Sequence, residues 1–316
     1  MNERMKVLVA YDGSAYADAA LEDLRRAGLP REAEALIVSV SDGLVDPSSS
    51  IADIAGSALT SRRVTSAIEL VREHAAQALE EAKEFAAKAG DRVRSYFPDW
   101  EVRAEGIAGT PSQELAQRAD EWKPDLIVVG SQGRSALGRF FLGSVSKKLA
   151  TESRSSVRVA RRTVEKGQGA PPRIMIGVDG SHGAEGAVRS VGRREWPDGT
   201  EVKIVAVDDG VSPARIAHIL PTAAGIIRSN NEEAAGKARQ MAEWAENELR
   251  AVGLQVSVAI VKGEPQHILI EEAQKWDADS IFVGSRGLDQ PNEKSGLGGV
   301  STGLVMNAAC TVEVVR

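Results

Sequence analysis

The feature that most constrains this chain is an internal repeat, because the same landmarks occur in the same order in its two halves. An Asp-Gly-Ser triplet follows an apolar run at Asp12 and again at Asp179, 167 residues later. A Gly-x-Pro turn at Gly109 recurs at Gly263, 154 residues later. In a chain of 316 residues, such a repeat predicts two domains of one fold, each large enough to bury its own core.

The bounds of the two domains follow from where the repeat begins and ends. Each half closes on a β-branched run, and a short segment rich in glycine and proline lies between them. We therefore predict a first domain over residues 1–162, a linker over 163–171 and a second domain over 172–316. Because the offset falls from 167 to 154 residues, we expect a longer connection in the first half, near residues 42–66.

Short apolar runs alternate with helical patterns throughout both halves. The predicted strands lie near residues 5–10, 35–40, 101–107, 125–129 and 156–160, and near 173–178, 201–207, 255–261, 279–283 and 311–315. The predicted helices lie near 14–27, 66–95, 111–121 and 143–151, and near 182–195, 230–252, 265–276 and 300–309. The second helix is charged on one side and has an apolar, alanine-rich side at Leu70, Ala75, Leu79 and Ala82. Strands that alternate with helices predict an α/β fold of two doubly wound, five-stranded, parallel, Rossmann-like sheets.

Charge and cysteine content argue against several classes of function. The net charge of −6 speaks against general affinity for nucleic acid. No apolar run reaches the roughly 18 residues that a membrane span needs, so no membrane contact is expected. The one cysteine, Cys310, allows no intramolecular disulfide, and its apolar neighbours indicate a small buried residue. With no signal-peptide pattern, these features predict a cytoplasmic protein.

Glycines and serines cluster where two predicted strands end, which is where open α/β sheets bind their ligands. Asp12 follows the first strand, and the segment from Gly130 to Ser146 follows the fourth. In that segment two residues separate Gly130 from Gly133, and nine separate Gly133 from Gly143-Ser144. Glycines admit a phosphate close to the backbone, and the N–H groups of a helix start favour an anion. Turn glycines with a serine helix cap fit the same residues, so both interpretations stay open at this point.

The run from Gly130 to Ser146 resembles the ATP-binding signature of the universal stress protein family, and the opening Lys6-Val-Leu-Val-Ala-Tyr-Asp-Gly-Ser resembles the start of that family. The resemblance covers nearly the whole chain. It implies an adenine nucleotide alpha hydrolase-like fold with strand order 3-2-1-4-5. It also implies a set of nucleotide contacts in the first half: Asp12 and the backbone of Val40 at adenine, Val129 and Gly130 at the ribose, and Gly133, Gly143, Ser144, Val145 and Ser146 at the phosphates.

The second half departs from that signature after its first spacing. Ten residues, not nine, precede Gly298, and Gly299 stands where the first half has Ser144. The positions that correspond to the contacts of the first half are Asp179, Val207, Gly284, Gly287, Gly298, Val300 and Ser301. We therefore expect the two clefts to bind nucleotide unequally.

The resemblance implies an ATP- or ADP-binding regulatory protein of the stress response, with AMP as a further ligand and Mg²⁺ as an ion that the phosphates would hold. Neither a P-loop lysine motif nor a strict dinucleotide glycine motif occurs, and no histidines have metal-ligand spacing, so no catalytic residue or metal site is assigned. The alternative is a dimerisation scaffold whose clefts are vestigial or take another small molecule. An enzyme that adenylates or hydrolyses at the cleft is a third, less favoured, interpretation.

The last strands of the two halves are edge strands in the implied order, and such edges invite pairing. We expect them to pair within one chain as a pseudo-twofold unit, since the covalent link keeps the partner at high local concentration. Assembly into a homodimer through other surfaces stays open.

Overall fold

The structure is a computed structural model that describes residues 4–42, 62–134, 142–161, 170–208, 223–287 and 296–316. Most of the predicted linker and most of the longer connection lie outside these ranges. In the first half the strands are β1 (Met5–Ala10), β2 (Ala33–Asp42), β3 (Glu101–Gly109), β4 (Leu126–Gly130) and β5 (Ser156–Ala160). The helices between them are α1 (Ala15–Leu24), α2 (Arg62–Tyr96), α3 (Pro111–Trp122) and α4 (Ser144–Glu152).

The second half repeats this alternation, as predicted. Its strands are β6 (Arg173–Val178), β7 (Glu201–Asp208), β8 (Gln255–Lys262), β9 (Ser280–Gly284) and β10 (Thr311–Val315). Its helices are α5 (His182–Gly192), α6 (Ala223–Ala251), α7 (Pro265–Lys275) and α8 (Gly299–Asn307). Every predicted strand and helix therefore has a counterpart, with bounds that differ by a few residues in most cases.

All ten strands join one sheet in the order β3-β2-β1-β4-β5-β10-β9-β6-β7-β8. Pairs within each half are parallel, whereas β5 and β10 are antiparallel, with Arg158 opposite Glu313. The implied order 3-2-1-4-5 is confirmed in both halves, as is the pairing of the last strands. The order reads the same from either end, as a pseudo-twofold unit requires.

The central strands are apolar because helices cover both of their faces. In β1, for example, Val7, Leu8 and Val9 are fully buried. On one face, a single apolar core runs through both halves, from Leu8 across Val157 and Val312 to Ile281. On the other face, each half has a core of its own. The two halves therefore fold around a partly shared interior.

The apolar side predicted for α2 is only partly confirmed. Ala75 and Ala82 are buried, but Leu70 is 54% exposed. The helix crosses β3 near Lys83, where a Cβ on Gly106 would lie 2.3 Å from the Lys83 backbone nitrogen. Leu70 lies 13 residues before that crossing, about 20 Å along the helix, and this end extends past the sheet.

Candidate functional site

Asp12 connects the end of β1 to the loop that follows β4. One carboxylate oxygen accepts a hydrogen bond from the Ser14 backbone N–H at 3.0 Å. The other accepts from the Arg134 backbone N–H at 3.2 Å. A Cβ on Gly133 would lie 2.8 Å from this second oxygen, so the glycine permits the close approach. Asp12 therefore ties the end of β1 to the loop that follows β4.

The first turn of α1 is already capped by the protein itself. Ser14, and not Asp12, is the cap residue, and its hydroxyl accepts from the Ala17 backbone N–H at 3.1 Å. Gly13 adopts a φ of 76°, and a Cβ there would press on the ring of Phe85 at 2.7 Å. One N–H group of this helix start is therefore already paired, with the Ser14 hydroxyl.

The first turn of α4 is arranged differently, because its cap residue is Gly143, which has no side chain to offer. The Gly143 N–H donates to the Ser131 carbonyl at 2.8 Å, which fixes where the helix begins. Ser144 is the first helical residue and is exposed. The interpretation of Ser144 as the helix cap is therefore wrong, and its hydroxyl lies at a helix start whose N–H groups lack partners within the helix.

Ser146 has a role that differs from the implied phosphate contact of its side chain. Its hydroxyl donates to the Gly130 carbonyl at 2.6 Å, and the residue is 2% exposed. This bond ties the first turn of α4 to the end of β4. The backbone N–H of Ser146 remains a candidate donor to a ligand, but its hydroxyl proton is already used.

The glycines of this loop are required for different reasons. A Cβ on Gly130 would lie 2.6 Å from the Tyr16 carbonyl oxygen, so Gly130 is needed where α1 packs on β4. Gly133 is needed beside Asp12. At Gly143 the nearest described atom is the Gln132 Cα at 3.5 Å, an ordinary contact, and its φ of −62° suits any residue. Packing among the described residues therefore does not explain why Gly143 is a glycine, whereas a ligand at this position would.

The remaining implied contacts lie along the same edge of the sheet. Val40 and Val129 are buried near the ends of β2 and β4, and strand β1 lies between these two strands. The guanidinium of Arg134 lies 5.4 Å above the ring of Phe85, at the mouth of the cleft. Sequence reasoning missed Phe85, because nothing in the sequence of this long helix marks it as the contact of both Gly13 and Arg134.

The second half reproduces the frame of the first. The Asp179 carboxylate accepts from the Ser181 N–H at 2.9 Å. The Gly298 N–H donates to the Ser285 carbonyl at 2.8 Å, and the Ser301 hydroxyl donates to the Gly284 carbonyl at 2.7 Å. Val207, Gly287 and Val300 lie at positions equivalent to those of the first half. One difference among the described residues is at the helix start, where Gly299 offers no hydroxyl. Most of the longer loop lies outside the described ranges.

A comparison with known proteins fits both halves. A model of the universal stress protein family matches residues 3–161 and again residues 172–316. The chain belongs to the universal stress protein family. A universal stress protein of Mycolicibacterium smegmatis is 27% identical over 315 residues, which is 98% of this chain and 96% of the relative. One of Bacillus subtilis is 31% identical over 156 residues, which is 49% of this chain and 98% of the relative.

A solved structure has the same fold over the same length. The crystal structure of a universal stress protein from Archaeoglobus fulgidus is 20% identical, with a TM-score of 0.58 and 98% of each chain covered. The Bacillus relative has about the length of one half, as expected if a duplicated stress-protein unit makes up this chain.

The described part of this family member has neither a metal-binding cluster nor a membrane-spanning helix. No group of three or more His, Cys, Asp or Glu side chains there is placed to hold a metal ion. No helix in those ranges is both long enough and apolar enough to span a membrane. Cys310 is 6% exposed, and burial raises the pKa of its thiol to about 12. Cys310 is therefore a buried thiol, as predicted, and not an activated nucleophile.

Proposed function

We propose that the cleft of the first half binds ATP or ADP, and that the chain acts in the stress response as a nucleotide-binding regulator and not as a catalyst. The observation that carries the proposal is the start of α4. Gly143 is not required by packing among the described residues, and the exposed Ser144 follows it at a helix start that no side chain caps. Such a helix start favours a phosphate, through its N–H groups and its dipole.

The proposal assigns each part of the nucleotide to residues at this edge of the sheet. The N–H groups of Ser144, Val145 and Ser146, with the Ser144 hydroxyl, would hold phosphate oxygens. Asp12 and the backbone of Val40 would lie at the adenine, Val129 and Gly130 at the ribose, and Gly133 close to the phosphates. An accompanying Mg²⁺ would be bound mainly by the phosphates, which is how this ion is commonly held.

The second cleft is proposed to bind more weakly. Its frame is the same, but Gly299 removes the hydroxyl that Ser144 would offer. A hydrogen bond to a charged oxygen contributes about 1.5–3 kcal/mol, which corresponds to about 10- to 150-fold in affinity. Each chain would therefore carry one stronger and one weaker site.

The alternative is a scaffold with vestigial clefts, and the continuous sheet through both halves is the observation that favours it. Native mass spectrometry of freshly purified protein separates the two functions. If the clefts bind nucleotide, the native mass exceeds that of the bare chain by an adenine nucleotide, which is released on denaturation. Chains that carry one nucleotide should outnumber chains that carry two. Protein that carries no nucleotide and takes up none from added ATP would instead support the scaffold.

A further inference from the structure

The last strands of the two halves carry opposite charges at the same position. Strand β5 reads Ser-Val-Arg-Val-Ala and β10 reads Thr-Val-Glu-Val-Val, so Arg158 and Glu313 are each the third residue of their strand. In the antiparallel pair these two residues are direct partners. They therefore lie at the pseudo-twofold axis, where a true twofold pair of like strands would place two copies of the same residue.

The opposite face of the same strands does not distinguish the halves. Val157 and Val159 of β5 pair with Val314 and Val312 of β10, and all four are at most 1% exposed. A valine face of this kind would pack equally well against a copy of itself. If only these residues decided the pairing, β5 could pair with β5 of a second chain as readily as with β10.

On the charged face of these strands, Arg158 and Glu313 are buried, and each pairs with opposite charges. Arg158 is 1% exposed and Glu313 is 0% exposed, and they pair at 3.0 Å. Arg158 also donates two hydrogen bonds to Asp23 of α1, at 2.5 and 3.1 Å. Arg194, which follows α5, pairs with the other oxygen of Glu313. The charges therefore alternate from Asp23 through Arg158 and Glu313 to Arg194, and they sum to zero.

We propose that Arg158 and Glu313 select the pairing partner: the last strand of each half pairs with that of the unlike half, and a symmetric pair of like halves is excluded. Pairing of β5 with a second β5 would bury two facing arginines, and pairing of β10 with a second β10 would bury two facing glutamates. Each arginine would keep Asp23, and each glutamate would keep Arg194, because these partners belong to the same half. Across the axis, however, each charge would face a like charge in place of an opposite one, and like charges that face each other in a buried contact are destabilising. Every assembly through this edge therefore contains one cleft with Ser144 beside one with Gly299.

The first test compares full-length Glu313→Arg with the neutral Glu313→Gln by urea unfolding. The arginine variant creates a like-charge pair with Arg158, so we expect its unfolding constant to exceed that of the glutamine variant by on the order of 100-fold or more. The exposed ion pair of Glu271 with Lys275 supplies the control, because the Glu271→Arg and Glu271→Gln variants should have nearly the same unfolding constant. Equal unfolding of the two Glu313 variants would overturn the proposal.

The second test measures partner choice and does not require either single variant to fold alone. Glu313→Arg and Arg158→Glu chains are produced separately and together, and their assemblies are weighed by native mass spectrometry. In a mixed pair of chains, every β5–β10 contact again has opposite charges facing each other. We expect mixed dimers to exceed the share that random mixing of the two chains would give. If the single variants are insoluble, we expect their co-production to yield soluble protein. Random mixing, or no recovery, would refute selection by these charges.

Discussion

At the scale of single residues, the account depends on one hydroxyl at the start of α4. Ser144 is exposed there, and the equivalent residue of α8 is Gly299, beside which no described atom lies within 4 Å of an added Cβ. We expect Ser144→Gly to weaken ATP binding by about 10- to 150-fold, the loss of one hydrogen bond to a charged oxygen. The reciprocal Gly299→Ser should strengthen the second binding event. Calorimetric titration measures both, and an unchanged affinity in Ser144→Gly would remove this residue from the site.

A second prediction at this scale concerns alkaline pH. Burial raises the pKa of the Cys310 thiol from 9.0 to about 12. Burial, with the hydrogen bond to Asp18, raises the pKa of the Tyr11 hydroxyl from 10.0 to about 12. The unfolded chain releases these protons at lower pH than the folded chain does, so stability is complete below about pH 9 and is lost as the pH rises towards 12.

We therefore expect the free energy of unfolding to fall between about pH 9 and about pH 12, and to fall less in a Cys310→Ala, Tyr11→Phe double variant. Urea unfolding at a series of pH values gives the slope. If the double variant loses stability as steeply as the parent, other groups account for the alkaline loss.

At the scale of elements, an arginine that follows the last strand of each half binds the last turn of a helix in the other half. Arg316, just after β10, donates to the Ala150 carbonyl in the last turn of α4 at 2.5 Å. Arg161, just after β5, donates to the carbonyls of Val305 and Met306 in the last turn of α8, at 2.7 and 2.9 Å. The helix that begins at one candidate phosphate site therefore ends on an arginine of the opposite half.

These contacts predict a reciprocal pattern of hydrogen exchange. Arg316→Met should speed exchange in α4 by about 10- to 150-fold and leave α8 nearly unchanged, because each lost hydrogen bond to a charged group contributes about 1.5–3 kcal/mol. Arg161→Met should do the opposite. Arg31→Met, at an exposed pair with Asp99, serves as the control. Equal acceleration of both helices in both variants would show a global effect and refute the reciprocal contact.

Elements were largely predictable from the sequence, while several contacts were not. The apolar runs and the repeated landmarks predict the strands, because these depend on periodicity. The strand order is what the family resemblance implies, and the pairing of β5 with β10 follows from that order because it makes both of them edge strands. The exposure of Leu70 depends on where α2 crosses the sheet, which no periodicity records. Likewise, the hydrogen bond from the Ser146 hydroxyl to the Gly130 carbonyl depends on how close α4 lies to β4. A sequence motif includes Ser146 but does not say whether its hydroxyl or its backbone N–H contacts a ligand.

At the scale of the whole molecule, the proposed role as a regulator predicts slow turnover. The two Asp12 oxygens accept backbone hydrogen bonds, and the described residues contain no metal-binding cluster of His, Cys, Asp or Glu. We expect ATP hydrolysis in the presence of Mg²⁺ far below the typical enzyme rate of about 10 per second. Phosphate release is the measurement. Turnover near that rate, lost in Gly143→Val, would mean that the cleft is catalytic.

We expect this two-domain chain to have one strong nucleotide site, at the start of α4. Gly143→Val and Gly298→Val are a matched pair, because an added Cβ meets described atoms no closer than 3.5 Å in either helix start. Both variants should keep the fold, checked by circular dichroism. In calorimetric titration with ATP, Gly143→Val should lose the tight binding event, whereas Gly298→Val should keep it at one per chain. Parent-like affinity in Gly143→Val would contradict the account.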